Sequence, residues 1–405
     1  MRIGILTYYA ACNFGANLQA LSTVEFLKSN GHEPIIISWY PQSLENQYLK
    51  STPKEQFAIH HEFRERHFNM TERCFTASEV ANVIDKNLID AIIVGSDAVV
   101  QYIPLLSRIV FPCRKIIHID KPGEDRDCPS PFWGNFYEHL ENKIPMAMMS
   151  VSSQNSPFKT MLRKEKSKLS KYLQHFRYIS TRDDWTSKQI AHATRNNIVP
   201  TITPDPVFAF NNNVKCVPTK NDILTKFNLP EKYVLVSFHN SRTVSIDWLE
   251  EFQLKMQDKG VTCVALPFPQ GIEFKHPFNK QIALPLDPID WYALIKYSTA
   301  YIGHNMHPIV VCLCNAVPCF SFDNYGTTVL RFFINQKSSK IYHILKHFNL
   351  LQFRVNSSGK HIDPPTVEEV IEKLDRFDSK HVAEIAEEYL EKYKDMMTNI
   401  LESFK

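Results

Sequence analysis

The pattern that most constrains this fold is an alternation of short apolar strands with amphipathic helices, in two blocks of the chain. The first block opens with "RIGILTYY", continues with the helical "NFGANLQALSTVEFLKSNG" and returns to an apolar "EPIIISWY". Short apolar runs separated by one helix length are typical of buried parallel strands joined by crossover helices. A second block begins after about residue 217, with strands at "KYVLVSFH", "VTCVALPF", "AYIGH" and "PCFSFD". The two blocks predict an α/β protein with two doubly wound Rossmann-like domains facing across a cleft.

The predicted boundaries divide the 405 residues into three parts. An N-terminal Rossmann-like domain covers 1–215 and a C-terminal one covers 216–365, followed by a charged helical segment at 366–405. Within the first domain, the stretch 103–135 is rich in proline, cysteine and charge, and we interpret it as an irregular insertion or mobile loop. The final segment is amphipathic, so it either packs back on the first domain or supports a homo-oligomer.

Composition limits the function classes. The net charge is only +3, which gives no indication of nucleic-acid binding. The N-terminus does not resemble a signal peptide, and no apolar run reaches the length of a membrane span. We therefore expect a cytoplasmic protein with at most a peripheral contact at the inner membrane surface. The nine cysteines are scattered without zinc spacing, which favours buried reduced thiols and predicts no metal site.

Candidate site residues in the first domain follow the predicted strands, because open α/β sheets bind ligands beyond the carboxyl ends of their strands. Neither a dinucleotide fingerprint nor a P-loop is present. In "NFGANLQ", Gly15 lets the backbone approach a ligand at a helix start, although ordinary βα turns also favour glycine. Asp97 could bind a substrate hydroxyl or cap a helix. Arg182 could bind a carboxylate or phosphate, or form a structural salt bridge. The remaining candidates here are Asn13, Asn17 and Ser153.

In the second domain, "GHNMHP" places two histidines directly after a strand. The two histidines could bind a metal, take part in catalysis or simply pack in the core. A metal site is the weakest interpretation, because no nearby carboxylate completes a ligand set. His307 lies near the start of a short apolar helix, where Pro308 is also favoured. Amides around Asn305 and Met306 could hold an anion while His307 moves a proton. His304 lies three residues earlier, at the end of the predicted strand.

The motifs in their order resemble the polysaccharide pyruvyltransferase family. The resemblance runs over roughly residues 3 to 330. It rests on "RIGILTYYAACNFGANLQA", "DAIIVGSDAV", "YISTRDDWT", "TPDPVFAF" and "YIGHNMHPIVVCLCNAVPCFSFDNYG". Each motif is short, but their order and spacing are specific.

The resemblance implies a GT-B-like fold and transfer of pyruvate from phosphoenolpyruvate to two hydroxyls of a sugar. The product would be a cyclic ketal on a surface or capsular polysaccharide precursor, and a lipid-linked acceptor is one form of that substrate. Arg182 matches the family's donor-binding arginine, and His307 matches its catalytic histidine, a general acid or base. Phosphoenolpyruvate is a co-substrate, and the resemblance implies no further cofactor and no metal.

We expect the first domain to form the acceptor side of the cleft and the second domain the donor side. The donor set is Arg182, Arg242, His304, Asn305 and Met306, and the acceptor set is Asn13, Gly15, Asn17, Asp97 and Ser153.

Two features depart from the family pattern. Asn305 stands where the family has arginine, and a neutral amide cannot supply the lost charge. Ala98 and Val100 replace the usual Gln and Trp of the V-G-S-D block. Either other basic residues compensate, with Arg242 or His304 as candidates, or the donor site is altered; we favour compensation. The alternative functions are a GT-B nucleotide-sugar glycosyltransferase and a non-catalytic glycan-binding relative.

Overall fold

The computed structural model of the protein describes residues 1–104, 109–113, 116–119, 121–329, 333–357 and 364–405. Its strands are β1 Arg2–Leu6, β2 Glu33–Ile36, β3 Ala91–Asp97, β4 Ile109–Cys113, β5 Ile116–Ile119, β6 Met146–Val151, β7 Phe176–Thr181, β8 Thr201–Ile202, β9 Tyr233–Ser237, β10 Thr262–Ala265, β11 Lys280–Gln281, β12 Ala300–Gly303, β13 Cys319–Asp323, β14 Thr327–Val329, β15 Phe333–Asn335 and β16 Arg354–Asn356. Its α-helices are α1 Phe14–Ser29, α2 Gln42–Ser51, α3 Lys54–His67, α4 Ala77–Lys86, α5 Arg163–Leu173, α6 Asp184–Ala193, α7 Phe210–Asn213, α8 Lys220–Lys226, α9 Ile246–Asp258, α10 Pro288–Lys296, α11 Met306–Cys314, α12 Lys340–His347, α13 Val367–Asp375 and α14 Ser379–Ser403.

Two six-stranded parallel sheets form the framework. The first has the order β2-β1-β3-β6-β7-β8 and the second the order β11-β10-β9-β12-β13-β16. Their central strands are buried along their whole length, which explains why the sequence shows continuous apolar runs there instead of alternation. The predicted fold of two Rossmann-like domains is confirmed.

The two domains share a hydrophobic core. Phe14, at the start of α1, stacks on Trp291 of α10 with ring centroids 5.2 Å apart. The long C-terminal helix α14 returns to the first domain and contacts β6 and β7, and Arg177 donates to the Ser403 carbonyl near its end at 3.0 Å. Of the two alternatives for the final segment, the structure therefore has packing on the first domain. Loops at the carboxyl ends of both sheets line one cleft.

One part of the first domain corrects the sequence analysis. Within 103–135, predicted as an irregular insertion, β4 and β5 pair as an antiparallel hairpin. Phe132 and Trp133 lie in a short 3-10 turn and are almost completely buried in the core of the domain. The aromatic side chains anchor this stretch, and their short turns carry no periodicity that a sequence pattern could detect. Residues 105–108, 114–115 and 120 lie outside the described part.

Candidate functional site

A cleft between the two sheets collects chemically active side chains from both domains. Its cavity volume is about 330 Å³. The first domain lines it with the loops after β1 and β3 and with the start of α1, and the second with the loops after β9, β10 and β13 and the starts of α11 and α12. Polar or titratable lining residues include Tyr8, Asn13, Asp97, Asp125, Arg126, Gln154, His239, Asn305, His307, Tyr325 and Lys340.

His307 crosses from the second domain onto the first. It lies in the first turn of α11, and its ring lies against the backbone of Gly15 in α1. A Cβ added at Gly15 would lie 2.0 Å from His307 Cγ, so only glycine admits the ring in this position. The glycine predicted to allow close approach therefore makes room for a catalytic candidate of the other domain.

The imidazole of His307 is neutral at rest. Burial lowers the pKa of His307 to about 4, although Asp205 and Asp97 oppose this shift. Its Nε2 is buried and has no hydrogen-bond partner among the described residues. A neutral imidazole with a free ring nitrogen can accept a proton, and a bound anion would favour its charged form.

Lys340 supplies the ammonium group beside His307. It is the first residue of α12, it is buried, and no salt bridge joins it to a carboxylate within the described ranges. Burial and the nearby Arg182 lower the pKa of Lys340 to about 8, against the attraction of Asp97 and Asp205. A buried ammonium without an ion-pair partner is costly to keep. Its position is therefore suited to an anionic ligand.

Asp323, the last residue of β13, positions this lysine. Its Oδ2 accepts hydrogen bonds from Ser339 Oγ at 2.6 Å and from Arg354 Nε at 2.5 Å. Its Oδ1 accepts from the backbone N–H of Tyr325 at 2.9 Å. The carboxylate thus ties the start of α12 to the loop that carries Tyr325, whose ring centroid lies 4.9 Å from Lys340 Nζ. Burial raises the pKa of Tyr325 to about 12, so its hydroxyl stays protonated at neutral pH.

Arg182 lies outside the set of residues that line the cleft. Its Nη1 donates to Asp205 Oδ2 at 2.6 Å, and Gln19 Nε2 donates to the same oxygen at 2.6 Å. Its Nη2 lies 3.8 Å from Asp97 Oδ1, and neither Nε nor Nη2 has a hydrogen-bond partner in the described part of the chain. The guanidinium thus contributes positive charge from behind Asp97, and the structural salt bridge considered for it is present with Asp205.

Asp97 is the carboxylate that faces the cleft from β3. Burial alone would raise the pKa of Asp97, but Arg182, His307 and Lys340 outweigh that effect and lower it. Its Oδ1 accepts from the backbone N–H of Ala98 at 2.7 Å, and no regular helix starts there. Asp97 is consequently ionised and can accept a hydrogen bond from a hydroxyl.

The structure brings six of the predicted residues to the cleft and leaves five outside its lining. Inside are Asn13, Gly15, Asp97, Asn305, Met306 and His307; outside are Asn17, Ser153, Arg182, Arg242 and His304.

The outside residues have other partners. Asn17 bonds the Tyr9 carbonyl and His60, and Ser153 bonds Thr186. Arg242 is exposed to solvent. His304 has both ring nitrogens engaged, by the His239 backbone N–H at 2.9 Å and by Thr243 Oγ1 at 2.8 Å. Neither Arg242 nor His304 lines the cleft, whereas Lys340 does.

Lys340 was missed because it follows no predicted strand. One signal could have found it: a lysine in the first turn of a helix opposes the helix dipole, so its presence there calls for a reason. His239 follows β9 and belongs to the same class of strand-end residues as the predicted ones. Among the described residues, no group of three His, Cys, Asp or Glu side chains could hold a metal ion. No helix in the described ranges is both long and apolar enough to span a bilayer.

The fold and the interdomain cleft place the protein in the GT-B architectural class. A UDP-GlcNAc 2-epimerase from Neisseria meningitidis, solved with UDP-GlcNAc, superposes with a TM-score of 0.53 at 9% identity and covers 99% of each chain. A UGT transferase from Siraitia grosvenorii, solved with UDP, superposes with a TM-score of 0.50 at 10% identity, over 100% of this chain and 99% of its own. At such identities the likeness shows the fold alone.

The sequence identifies the family within that class. The chain belongs to the polysaccharide pyruvyl transferase family, whose sequence model matches residues 13–325. The family resemblance found in the motifs is thereby confirmed, and the protein is a transferase of that family. No curated protein sequence matches the chain.

Proposed function

We propose that the protein transfers the pyruvyl group of phosphoenolpyruvate to a sugar of a surface or capsular polysaccharide precursor, as a cyclic ketal. The observation that carries this proposal is the buried Lys340, which has no salt-bridge partner in the described residues and lies in the cleft with His307. Its ammonium and the free amides at the start of α11 suit the phosphate of the donor. No cofactor or metal enters the proposal.

The reaction needs two hydroxyls and two proton movements. The first sugar hydroxyl adds to C2 of the enol ester while C3 gains a proton and becomes a methyl group. The C2–O bond to phosphate then breaks as the second hydroxyl closes the ketal. Of the two hydroxyl protons, one ends on C3 and the other leaves with inorganic phosphate, so the reaction balances.

The cleft offers a group for each role. Asp97, ionised and facing the cleft, accepts a hydrogen bond from the attacking hydroxyl. His307, neutral at rest, becomes a proton carrier once the donor phosphate is bound, because an adjacent anion stabilises the imidazolium. Lys340 neutralises charge on the departing phosphate, with Arg182 behind it. Asn13, at the cap of α1, borders the acceptor side.

The test is incubation with phosphoenolpyruvate and candidate oligosaccharides, both free and lipid-linked. We expect phosphate release coupled to the mass gain of a pyruvate ketal on the acceptor. A nucleotide-sugar glycosyltransferase would instead add a sugar mass and release a nucleotide, and a glycan-binding protein would release nothing. Calorimetry with the donor alone completes the test, and wild-type protein that binds no phosphoenolpyruvate would sink the proposal.

Lys340→Met gives a sharper test, because it should lower the donor affinity while raising the free energy of unfolding. Donor affinity should fall at least about tenfold, the effect of one charge-assisted hydrogen bond. The folded-state pKa of Lys340 lies below that of an exposed lysine, so the buried ammonium opposes folding at neutral pH. The variant should therefore gain about 1–3 kcal/mol in the free energy of unfolding. Wild-type donor affinity should weaken as the pH rises through about 8.

The control is Lys337→Met, which replaces an exposed lysine three residues earlier. It should leave both the donor affinity and the free energy of unfolding unchanged. Unchanged donor affinity in Lys340→Met would remove Lys340 from the site.

A further inference from the structure

A chain of three polar side chains at the start of α11 has no role in the reaction described above. His239 Nδ1 lies 3.1 Å from Glu273 Oε2, and His239 Nε2 lies 2.7 Å from Asn305 Oδ1. Both neighbours are acceptor oxygens. A ring that carries a proton on each nitrogen satisfies both of them, and a neutral ring satisfies only one. The His239 ring therefore bridges Glu273 and Asn305.

The ring of His239 is held in a fixed plane. It stacks on Phe268, with centroids 4.1 Å apart and planes 9° from parallel. On its other side lies His304, with centroids 5.6 Å apart. His304 accepts the His239 backbone N–H at Nδ1, so its own proton is on Nε2, toward Thr243. Burial and the neighbouring His239 lower the pKa of His304 to about 3, so it stays neutral. Within the described residues, Glu273 is the charged group paired with His239.

Asn305 presents the other end of this chain to the cleft. It precedes α11 as its N-cap, two residues before His307, and makes no side-chain capping bond. Its Oδ1 is occupied by His239, and its Nδ2 has no hydrogen-bond partner among the described residues. The carbonyl contact fixes the orientation of the amide, so that Nδ2 is the atom available to a ligand. Hydrogen bonds in such a chain polarise one another, which makes this N–H a stronger donor.

We propose that Asn305 Nδ2 binds the carboxylate of the donor, and that His239, held by Glu273, orients that amide through its contact with Asn305 Oδ1. The inference rests on the proposed function and divides the donor between two subsites. Lys340 takes the phosphate, and Asn305, oriented by His239, takes the carboxylate. His239 is thus a positioning residue that acts through Asn305.

The experiment compares the affinities for phosphoenolpyruvate and for inorganic phosphate by calorimetry at one pH. The ratio of the two affinities isolates the carboxylate contribution, because Lys340 and the phosphate group contribute to both. Asn305→Ala and His239→Gln should each lower that ratio about tenfold.

Two further variants complete the design. Glu273→Gln, at a half-exposed side chain that can be changed without opening the core, weakens the hold on the His239 ring and should lower the ratio in part, while phosphate binding persists. His239→Gln combined with Asn305→Arg should restore the ratio, since the arginine brings its own charge. Lys340→Met is the matched control and should lower both affinities while keeping their ratio.

The outcomes separate the two proposals. An unchanged ratio in both Asn305→Ala and His239→Gln overturns the carboxylate subsite, whatever the activity. A wild type that binds phosphoenolpyruvate but transfers no pyruvyl group to any acceptor overturns the proposed reaction and leaves the subsite standing. If the ratio falls in Asn305→Ala and is unchanged in His239→Gln, His239 does not position the amide and that part of the proposal is wrong.

Discussion

At the scale of single residues, the contact between Gly15 and His307 joins the two domains where the chemistry is proposed. In Gly15→Ala, the new Cβ would meet the imidazole at 2.0 Å, and either the ring or the start of α1 must shift. We expect a loss of about 1–3 kcal/mol in the free energy of unfolding, the usual cost of overpacking. Pyruvyl transfer should fall more than donor binding, because His307 loses its position. Denaturant unfolding and steady-state kinetics measure the two effects.

A double-mutant cycle with His307→Ala is the control for this prediction. Truncating the ring removes the atoms that the new methyl group would meet, so Gly15→Ala should cost little in the His307→Ala background. Equal costs in both backgrounds would show that the glycine serves backbone conformation and not the space for the imidazole.

How well the sequence predicted the site depended on where each residue stands relative to a strand. Asp97 ends β3, and Gly15 and His307 lie in the first turns of the helices that follow β1 and β12, so their place near the carboxyl ends of the sheets could be predicted from topology alone. Lys340 starts a helix beyond the hairpin of β14 and β15, and the hydrogen bond from Ser339 to Asp323 helps to hold that helix start at the cleft. Such long-range contacts between loops have no local signal in the sequence.

At the scale of elements, Asp205 joins three of them. Its carboxylate accepts hydrogen bonds from Gln19 of α1 and from Arg182, which follows β7. The loop that carries Asp205 leads into α7. Asp205→Asn would leave a buried guanidinium without its counter-charge. We expect a loss of about 3–5 kcal/mol in the free energy of unfolding, measured by denaturant titration. The control is Glu72→Gln, which breaks an exposed pair with Lys86 and should cost at most about 1 kcal/mol.

A small effect of Asp205→Asn would mean that Asp97 takes over the guanidinium, since it lies 3.8 Å from Nη2. In that case the ion pair with Asp205 is not what holds the start of α1 to β7.

Elements with strong periodicity were predictable and short turns were not. The helical run "DPIDWYALIKYST" corresponds to α10, Pro288–Lys296, and the apolar "MHPIVVCLCNA" to α11, Met306–Cys314. Each has a cap or a first-turn proline and enough turns for an apolar face to show. The 3-10 turn around Phe132 and Trp133 has neither, although its aromatic rings fill the core.

At the scale of the whole molecule, the domains are joined by reciprocal hydrogen bonds that the sequence could not indicate. Gln56 of α3 donates to the Leu286 carbonyl at 2.9 Å and accepts the Leu286 backbone N–H at 2.7 Å. Arg66 of the same helix pairs with Asp287 at 2.6 Å. The chain distance between these partners exceeds 200 residues, and polar side chains on a surface helix predict no particular partner. The two domains could be predicted separately, but their contact could not.

Buried neutral histidines should make the molecule acid-sensitive. Burial lowers the pKa values of His60 and His307 to about 4. Burial lowers the pKa of His304 to about 3. The unfolded chain binds protons at the ordinary histidine pKa of about 6.5, so each group stabilises the fold above that pH. This stability is lost as the pH falls toward 4. Between about pH 4 and 6.5, each histidine should contribute about 1.4 kcal/mol per pH unit to the slope of the free energy of unfolding against pH.

Denaturant unfolding of the wild type at several pH values, compared with His60→Gln, measures one such contribution. His60 on α3 bonds Asn17 through Nδ1 at 2.8 Å and packs near Phe14, which stacks on Trp291 of the other domain. In His60→Gln, the slope of the free energy of unfolding against pH should be smaller by the contribution of one proton, because glutamine does not titrate. His61→Gln changes the exposed neighbour on the same helix and should leave the slope as it is. If both variants keep the wild-type slope, His60 takes up no extra proton on unfolding, and the acid sensitivity belongs to His304 and His307.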